Sequence, residues 1–251
     1  MSQDSRAQGP RRVAVITGGS GGIGRAVAER LAADGQAVVV HFSGNPARAQ
    51  EVADAVEATG GTATTVRADV ADPEEVRALF DAAEDAFGGV DVVVNTAGIM
   101  RLAPLANADL HDVDAMIRTN VRGALVVSAE ALRRLRPGGA LVNFSTSVTR
   151  LSLPTYSAYV ATKGAVEAMT PVLAKEVAGR DVTVNAVAPG PTATRLFLEG
   201  KDEETVARMA AANPMGRLGQ PDDIAGAVSF LAGPRGRWVN GQVLFANGGA
   251  A

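Results

Sequence analysis

Tyr159 and Lys163 are the residues whose types and spacing best support chemistry. On a helix, side chains four positions apart share one face, so the Lys163 ammonium could sit beside the Tyr159 phenol. A nearby positive charge favours the phenolate and would lower the pKa of the tyrosine from about 10 towards neutral pH, as acid–base catalysis requires. We therefore predict that Tyr159 exchanges a proton with a carbonyl or an alcohol, the alternative being a surface lysine beside a half-buried tyrosine. The only other tyrosine, Tyr156, has Val160 at the matching position, so we assign it to packing or to the substrate pocket.

A glycine-rich segment, T-G-G-S-G-G-I-G at residues 17–24, joins the first predicted strand to the first predicted helix. Glycines allow a tight turn and a close approach to a pyrophosphate, whose charge the free N–H groups of a helix N-terminus stabilise. The segment predicts a dinucleotide site, the alternative being a turn without a ligand. The residues assigned to this ligand are Thr17, Gly18, Ser20, Gly22, Ile23 and Gly24.

The composition excludes several other chemistries. With no cysteine and two distant histidines, His41 and His111, the 251 residues hold no thiolate or iron–sulfur site, and we predict no metal site. The net charge of -3 leaves no basic excess for nucleic acid or an anionic membrane, and no apolar run reaches the roughly 18 residues that span a bilayer. The absence of disulfides suits a reducing compartment, so we expect a soluble, cytoplasmic protein.

Seven short β-branched runs alternate with amphipathic stretches long enough to form helices. Runs that are apolar at consecutive positions are typical of strands covered on both faces. The alternation predicts a single Rossmann-type, doubly wound α/β domain, in which helices cover both faces of a seven-stranded parallel sheet. The predicted strands are residues 13–17, 37–42, 62–70, 90–95, 140–145, 182–188 and 242–246. The predicted helices are residues 23–33, 47–58, 73–87, 112–135, 157–178 and 221–231.

The ends of the alternation suggest the domain organisation. We expect residues 1–11 to form a flexible leader and residues 12–251 to form one dinucleotide-binding catalytic domain. Residues 190–219 show no strand pattern and are expected to form a substrate lid. The side chains expected to contact an apolar substrate are Leu196, Phe197, Leu198, Arg101, Leu102 and Tyr156.

Residues 17–24 also fit the pattern T-G-x-x-x-G-x-G, and further motifs follow in matching order and spacing. These motifs are Asp69-Val70, Asn95-Thr96-Ala97-Gly98, Asn120, the Y-V-A-T-K run that ends at Lys163, and Pro189-Gly190 with Thr192 and Thr194. Through them, residues 13–249 resemble the short-chain dehydrogenase/reductase family, with Thr96 in place of the usual second asparagine. The chain is similar to 3-oxoacyl-carrier-protein reductases and related ketoreductases. The resemblance implies hydride transfer between nicotinamide and a carbonyl or alcohol substrate.

The resemblance also implies roles for single residues. Asp69 would contact the adenine, Thr194 would hold the nicotinamide carboxamide, and Lys163 would orient the ribose. Asn120 would help to hold a water that links Lys163 to solvent, although it could instead bond a neighbouring backbone carbonyl. The remaining residues assigned to the cofactor are Val70, Asn95, Ala97, Gly98, Tyr159, Pro189, Gly190 and Thr192.

The hydroxyl partner of the family's tyrosine normally lies 13 residues before it, which is Thr146 here. Thr146 lies between Ser145 and Ser147, and a threonine hydroxyl can donate the same hydrogen bond to a substrate oxygen. At an extended strand end, residues 145 and 147 point opposite to residue 146. The spacing favours Thr146, with Ser145 as the first alternative.

The second predicted strand ends without the carboxylate that NAD-selective sites use to bind the ribose 2′-hydroxyl. Ser43, Asn45 and Arg48, which follow Phe42 in this cofactor-facing region, could receive a 2′-phosphate. We therefore favour NADP(H) over NAD(H), although Gly21 stands where many NADP-dependent relatives carry an arginine or lysine.

Partners and rival functions follow from the same features. We expect a small-molecule carbonyl or alcohol substrate, no nucleic acid and no membrane, and the resemblance implies a homotetramer. A basic cluster, Arg133, Arg134 and Arg136, either complements a helix dipole or docks an acidic carrier protein. The rival classes are a non-catalytic NADP-binding sensor and another Rossmann-like enzyme, such as a methyltransferase. An enoyl reductase is disfavoured, because that branch of the family spaces its tyrosine and lysine more widely.

Overall fold

The computed structural model describes residues 11–251, which contain seven strands. The strands are β1 (Val13–Thr17), β2 (Ala37–Phe42), β3 (Thr62–Arg67), β4 (Val90–Asn95), β5 (Leu135–Phe144), β6 (Thr183–Pro189) and β7 (Val243–Ala246). All neighbouring strands are parallel, in the order β3-β2-β1-β4-β5-β6-β7. The predicted seven-stranded parallel sheet is confirmed.

Helices connect these strands and lie on both faces of the sheet. They are α1 (Gly22–Ala33), α2 (Pro46–Ala58), α3 (Pro73–Phe87), α4 (Leu110–Met116), α5 (Gly123–Arg134), α6 (Val148–Leu151), α7 (Ser157–Glu176), α8 (Arg195–Leu198), α9 (Glu203–Ala211) and α10 (Pro221–Ala232). A π-helical segment, Ile117–Arg122, joins α4 to α5, and 3₁₀ turns occupy Leu105–Asn107 and Pro234–Gly236.

The hydrophobic core consists of two layers, one on each face of the sheet. Alternate strand residues point to opposite faces, so Ile16 packs with α1, α2 and α10, while its neighbour Val15 packs with α3, α5 and α7. Both residues are fully buried. This two-sided burial is why the strands are apolar at consecutive positions.

Helix α3 shows how the sequence sets its own boundaries. The Asp72 carboxylate accepts hydrogen bonds from the amides of Glu74 and Glu75, at 2.9 and 3.1 Å, and Pro73 occupies the first helical position. Gly88 ends the helix in a left-handed conformation, with φ of 82°. The predicted bounds of this helix, residues 73–87, agree with the structure.

The predicted helix over residues 112–135 is wrong in two respects. The π-helical segment divides it into α4 and α5. Because a π-helical turn changes the spacing of the hydrophobic residues only slightly, the sequence pattern does not reveal this division. The helical region also ends at Arg134, because β5 begins at Leu135, which pairs with Val90 before the register shifts. The predicted start of β5 at residue 140 is therefore five residues late.

The 190–219 segment contains no strand of the sheet but does contain helices α8 and α9. An isolated parallel bridge between Thr192 and Gly219 joins its two ends. Over residues 11–251, no helix is long and apolar enough to cross a membrane, and no group of three or more His, Asp or Glu side chains is arranged to hold a metal ion. Residues 1–10, where we predicted most of the flexible leader, lie outside the described residues.

Candidate active site

The site lies where the strand order reverses. The chain runs outward from β1 to β2 and β3 and then returns to β4 on the other side of β1, which leaves a crevice at the carboxyl ends of β1 and β4. Two cavities of about 640 and 840 Å³ open there and share Gly18, Ser20 and residues 97–99, so they form one continuous cleft. The glycine loop, residues 17–24, thus faces the motif that follows β4.

Close packing within the glycine loop requires glycine at position 24. A Cβ atom placed on Gly24 would collide with the carbonyl oxygen of Gly18 and would lie 2.8 Å from Oγ1 of Thr96. Because backbone and a buried hydroxyl occupy that space, a larger residue would push the first turn of α1 away from the loop. The amide-lined cradle that a pyrophosphate needs therefore depends on this residue.

Thr17 and Asn95 lie behind the cleft and support the segments that line it. Both are buried, and the Thr17 hydroxyl donates to Oδ1 of Asn95 at 2.7 Å and accepts from the amide of Ala97 at 3.2 Å. Thr96 fixes the same turn, because its hydroxyl donates to the carbonyl of Thr17. Neither Thr17 nor Asn95 is among the described residues that line the cleft. Both side chains thus lie behind the loop, and the assignment of these two residues to the cofactor stays a prediction.

One end of the cleft, the adenosine end, lies over β2 and β3. Residues 41–45 and Arg48 line it, and none of them is a carboxylate. Arg67 lies beside them at the end of β3, with its Nε 3.4 Å from the carbonyl oxygen of Ser43. The Asn45 side chain caps α2 by accepting from the amide of Ala47 at 2.9 Å, which leaves its amide hydrogens as donors. Ser43, Asn45, Arg48 and Arg67 thus offer hydrogen-bond donors and positive charge.

Asp69 lies on the opposite wall of the adenosine end with Val70. Its carboxylate is 2.7 Å from the Arg118 guanidinium. Partial desolvation opposes ionisation, but the hydrogen bond from the amide of Ala71 and the pair with Arg118 hold the pKa of Asp69 below its usual value. Asp69 is therefore an ionised acceptor at neutral pH, and its partner Arg118 was not predicted from the sequence.

Tyr159 and Lys163 lie at the other end of the cleft, on α7. Their exposed fractions are only 9% and 5%. The Lys163 ammonium donates to the carbonyl of Phe144 at 2.9 Å and lies 5.9 Å from the centroid of the Tyr159 ring. The ring of Tyr156 meets that of Tyr159 edge to face at 6.4 Å. The predicted pairing on one helix face is thus observed, and the alternative of a surface lysine does not hold.

The charge states of this pair differ from our expectation. Burial raises the pKa of Tyr159 above its usual value, and burial also lowers the pKa of Lys163 to about 8. The expected lowering of the tyrosine pKa by Lys163 is wrong for the protein alone, because desolvation by burial, reinforced by Tyr156, raises it. Tyr159 consequently keeps its proton at neutral pH, where Lys163 is mostly charged.

The three hydroxyl residues after β5 differ in their partners. Ser145 donates to Oε1 of Glu167 at 2.6 Å, and Ser147 donates to the carbonyl of Ala188 at 3.2 Å. Thr146 accepts from the amide of Val148 at 3.3 Å, and this contact leaves the hydroxyl proton available. The geometry therefore favours Thr146 over the alternative Ser145 as the group that faces a substrate.

Glu167 escaped the sequence analysis. Its Oε1 accepts from both Ser145 and Thr149, at 2.6 and 2.8 Å, and so fixes the chain on each side of Thr146. Glu167 lies one turn beyond Lys163 on α7, so the spacing that identified Tyr159 and Lys163 could also have identified this carboxylate.

Asn120 is buried in the π-helical segment. Its side chain accepts from the amide of Ile99 at 2.9 Å and donates to the carbonyl of Ile99 at 2.8 Å and to Oγ1 of Thr162 at 3.1 Å. A Cβ atom on Gly98 would lie 3.2 Å from Oδ1 of Asn120 and 3.5 Å from Nζ of Lys163, so the two side chains converge there. The backbone bonding that we weighed as the alternative is therefore present.

The wall opposite Tyr159 comes from β6 and the 190–219 segment. Pro189, Gly190, Thr192 and Thr194 line the cleft, and Thr194 also caps α8 by accepting from the amide of Phe197. The apolar lining at this end comprises Met100, Leu151, Leu153, Leu196, Phe197 and Met209. Arg101 and Tyr156 also line it, as predicted, whereas neither Leu102 nor Leu198 is among the described residues that do.

Comparison with known proteins identifies the family. A family model described as Enoyl-(Acyl carrier protein) reductase matches residues 18–251. A short-chain type dehydrogenase/reductase of Picea abies is 43% identical over 248 residues, which cover 95% of this chain and 92% of the relative. The chain belongs to the short-chain dehydrogenase/reductase family. The protein is accordingly an oxidoreductase.

Two further members of the family resemble the chain along its length. A protein of Arabidopsis thaliana named "NADPH-dependent aldehyde reductase-like protein, chloroplastic" is 42% identical, with 95% of this chain and 93% of the relative covered. A crystal structure of a short chain dehydrogenase from Burkholderia cenocepacia J2315 in complex with NADP superimposes with a TM-score of 0.89 at 40% identity, over 96% of this chain and 98% of that one.

Proposed function

We propose that this short-chain dehydrogenase/reductase is an NADPH-dependent carbonyl reductase. The observation that carries the proposal is the buried Tyr159, which lies with Lys163 and Thr146 in a cleft whose far end is rich in donors and positive charge. The similarity to an NADPH-dependent aldehyde reductase-like protein and to an NADP-bound dehydrogenase supports it. The protein would take up NADPH and an aldehyde or ketone.

The residues present fit the cofactor. The glycine loop packs closely on the first turn of α1, an arrangement that a Cβ atom at Gly24 would disrupt, and so presents free amides to a pyrophosphate, while the adenosine end offers Ser43, Arg48 and Arg67 to a 2′-phosphate. The residues after β4 and β6 would hold the nicotinamide half. When bound, NADPH supplies the hydride.

The side chains of this end would supply the proton and orient the substrate. Tyr159 donates its proton to the carbonyl oxygen as negative charge develops there, and Thr146 donates a second hydrogen bond to the same atom. Lys163, held by the carbonyl of Phe144, keeps a positive charge near the phenolate that remains. Asn120 holds residues 98–99 beside Lys163, where a water could return the proton from solvent.

NADP(H) is proposed over NAD(H) on the composition of the adenosine end. Residues 41–48 carry no carboxylate to repel a 2′-phosphate, and Arg48 and Arg67 both line the cleft there. The test is kcat/KM with NADPH and with NADH on one substrate. We expect NADPH to be preferred by at least roughly tenfold, since one charge-assisted contact is worth about 1.5–3 kcal/mol. A tenfold preference for NADH would refute this assignment.

The substrate class is proposed from the walls around Tyr159. The apolar lining contributed by residues 100, 151, 153, 196, 197 and 209 favours an apolar aldehyde or ketone, and the 190–219 segment would act as its lid. NADPH oxidation at 340 nm against aldehydes, β-ketoesters, ketoacyl thioesters, quinones, steroids and sugars tests this. An enoyl thioester belongs in the panel because of the family description, and reduction of that compound alone would overturn carbonyl reduction.

Reduction of 3-oxoacyl groups on a carrier protein is the second specific activity. The basic cluster proposed to dock such a carrier is largely neutralised within the chain. Arg134 pairs with Asp81, Glu84 and Glu130, each at 2.7–2.8 Å, and Arg136 pairs with Asp91 at 2.5 Å. This pairing weakens the docking hypothesis, so we rank free small-molecule substrates first.

We also propose that the protein forms a homotetramer and is located in the cytoplasm. Large apolar side chains are exposed on α5, α7 and just before β7, namely Leu125, Val172 and Trp238, the last with 99% of its surface exposed. These helices are the ones on which relatives are expected to assemble. Light scattering should give four times the chain mass, and fractionation of the source cells tests the location.

A further inference from the structure

His41 is a buried, titratable side chain to which the proposed reaction gives no task. It lies in β2 with only 2% of its surface exposed. Its Nδ1 accepts a hydrogen bond from the amide of Gly18 at 3.0 Å, and its Nε2 lies 2.9 Å from the carbonyl oxygen of Ala68. Because an amide only donates and a carbonyl only accepts, this pair of partners requires a neutral ring with its proton on Nε2.

The two partners of the ring belong to the two walls of the adenosine end. Gly18 is part of the glycine loop, and Ala68 immediately precedes Asp69 on the opposite wall. The main chain of His41 reinforces the first wall, since its carbonyl accepts from the amide of Gly19 at 3.0 Å. The imidazole therefore spans the floor between two segments that face the same ligand.

We propose that His41 is a positioning residue for the dinucleotide: its neutral ring holds the glycine loop and the Ala68–Asp69 turn at the spacing that the cofactor requires, and protonation of the ring releases the loop. This inference rests on the proposed binding of a nicotinamide dinucleotide. Protonated Nδ1 would present an N–H group to the N–H group of Gly18, so attraction would become repulsion.

The surroundings of the ring set the direction of its pH response. Burial disfavours the charged ring and dominates, so the pKa of His41 lies below its usual value although Asp69 and Glu75 act in the opposite direction. The other charged groups that line the adenosine end are Arg48, Arg67, Arg118 and Arg195. The ring thus remains neutral at its usual pKa of about 6.5, and cofactor affinity should fall only as the pH decreases through the lowered pKa of the buried ring.

Two uncharged substitutions separate the contacts of the ring. In His41→Asn, an amide oxygen can reach the position of Nδ1 and accept from Gly18. In His41→Gln, an amide nitrogen can reach the position of Nε2 and donate to Ala68, while the acceptor for Gly18 is lost. His111→Asn, at the exposed second histidine, is the matched control for histidine titration.

The measurement is the dissociation constant of NADPH and of NADH, from nicotinamide fluorescence, between about pH 5 and pH 8. NADH lacks the 2′-phosphate and so removes the titration of that group. Near pH 8 we expect His41→Gln to bind roughly tenfold more weakly than wild type and His41→Asn to remain within about threefold. Towards the acid end of this range, well below pH 6.5, both cofactors should dissociate more readily from wild type and from His111→Asn, but not from His41→Asn.

The outcomes distinguish the inference from the proposed function. If wild type binds NADPH and the acid decrease persists in His41→Asn with NADH, or if the two His41 variants bind equally well near pH 8, the positioning role is wrong while the proposed function stands. If wild type binds neither dinucleotide, the proposed function fails and the inference fails with it. Thermal unfolding of each variant checks the fold, and equal losses of stability with unchanged affinity would indicate a purely structural histidine.

Discussion

The two ends of the cleft are built in different ways. The adenosine end and the glycine loop rest on strand ends, where the buried His41 side chain accepts from the amide of Gly18 and the buried Thr17 hydroxyl donates to Asn95 behind the loop. The substrate end is covered by α8 and α9, two short helices that contain no buried residue. A polar network under a loop fixes it in one arrangement, whereas a segment with few buried contacts opens at little cost. We therefore expect a rigid cofactor site and an adaptable substrate site.

Tyr159 lies at the substrate end, and its removal should have the largest effect. In Tyr159→Phe the proton donor is lost while the ring and its packing remain. We expect kcat to fall by about 10²–10⁴-fold, the usual contribution of general acid catalysis, with NADPH affinity within a few fold of wild type. Activity assays and fluorescence titration check the two parts. Unchanged turnover would indicate that another group carries the proton, and a protein that binds NADPH but reduces nothing in the panel would be a sensor.

Substitution within the glycine loop tests the rigid end. In Gly24→Ala the new methyl group would meet the carbonyl oxygen of Gly18, so the loop must move. We expect the dissociation constant of NADPH to rise by roughly 30-fold or more, equivalent to about 2 kcal/mol. Gly226→Ala is the matched control, because nothing lies within 4 Å of a Cβ atom at that helical position. Equal affinity in the two variants would contradict a rigid loop.

The pH dependence of turnover tests the charge of Lys163 at the substrate end. Since burial lowers the pKa of Lys163 to about 8, its ammonium is present below that pH and is lost as the pH rises through it. Because Tyr159 stays protonated over this range, kcat for reduction should decrease above about pH 8, by up to roughly tenfold per pH unit. In Lys163→Arg the decrease should move to higher pH or vanish, and a decrease that stays in place would assign it to another group.

Substitutions at the substrate end should have the smallest effect, and they should change the KM for the substrate but not the KM for NADPH. Phe197→Ala removes a ring from the apolar wall and should raise KM for apolar carbonyl compounds by about threefold to tenfold, with KM for NADPH unchanged. Leu198→Ala, one residue further on the same short helix, changes a side chain outside the described cleft lining and serves as the control. If Phe197→Ala raised the KM for NADPH as much as the KM for the substrate, the distinction between the two ends would be weakened.

The sequence was most informative about the sheet. Valine-rich runs identified the inner strands, because burial on both faces requires consecutive apolar residues, whereas the edge strands β3 and β7 are only partly buried. The division of the helix around Asn120 was not predicted, since a π-helical turn changes the hydrophobic period by too little to detect. Helix spacing brought Tyr159 and Lys163 together correctly.

Predictions about polar side chains were less accurate. The assignment of Thr17 and Asn95 to the ligand stays a prediction, although they bond one another behind the loop. The sign of the Tyr159 pKa shift was wrong, because the depth of burial is a property of the whole packed structure and not of a spacing between two residues. The hydrogen-bond partners of His41 and Glu167 were not predicted either, because they come from distant parts of the chain and are brought together only by folding.

The bridge at the base of the 190–219 segment has a consequence for engineering. The amide of Gly219 donates to the carbonyl of Pro191 at 2.9 Å, and its carbonyl accepts from the amide of Ala193 at 2.8 Å, so the segment leaves and rejoins the body at one point. Doubling the length of such a closed loop costs only about 0.6 kcal/mol in closure entropy. A donor loop grafted between these anchors, even one of different length, should therefore transplant substrate preference and leave the sheet intact.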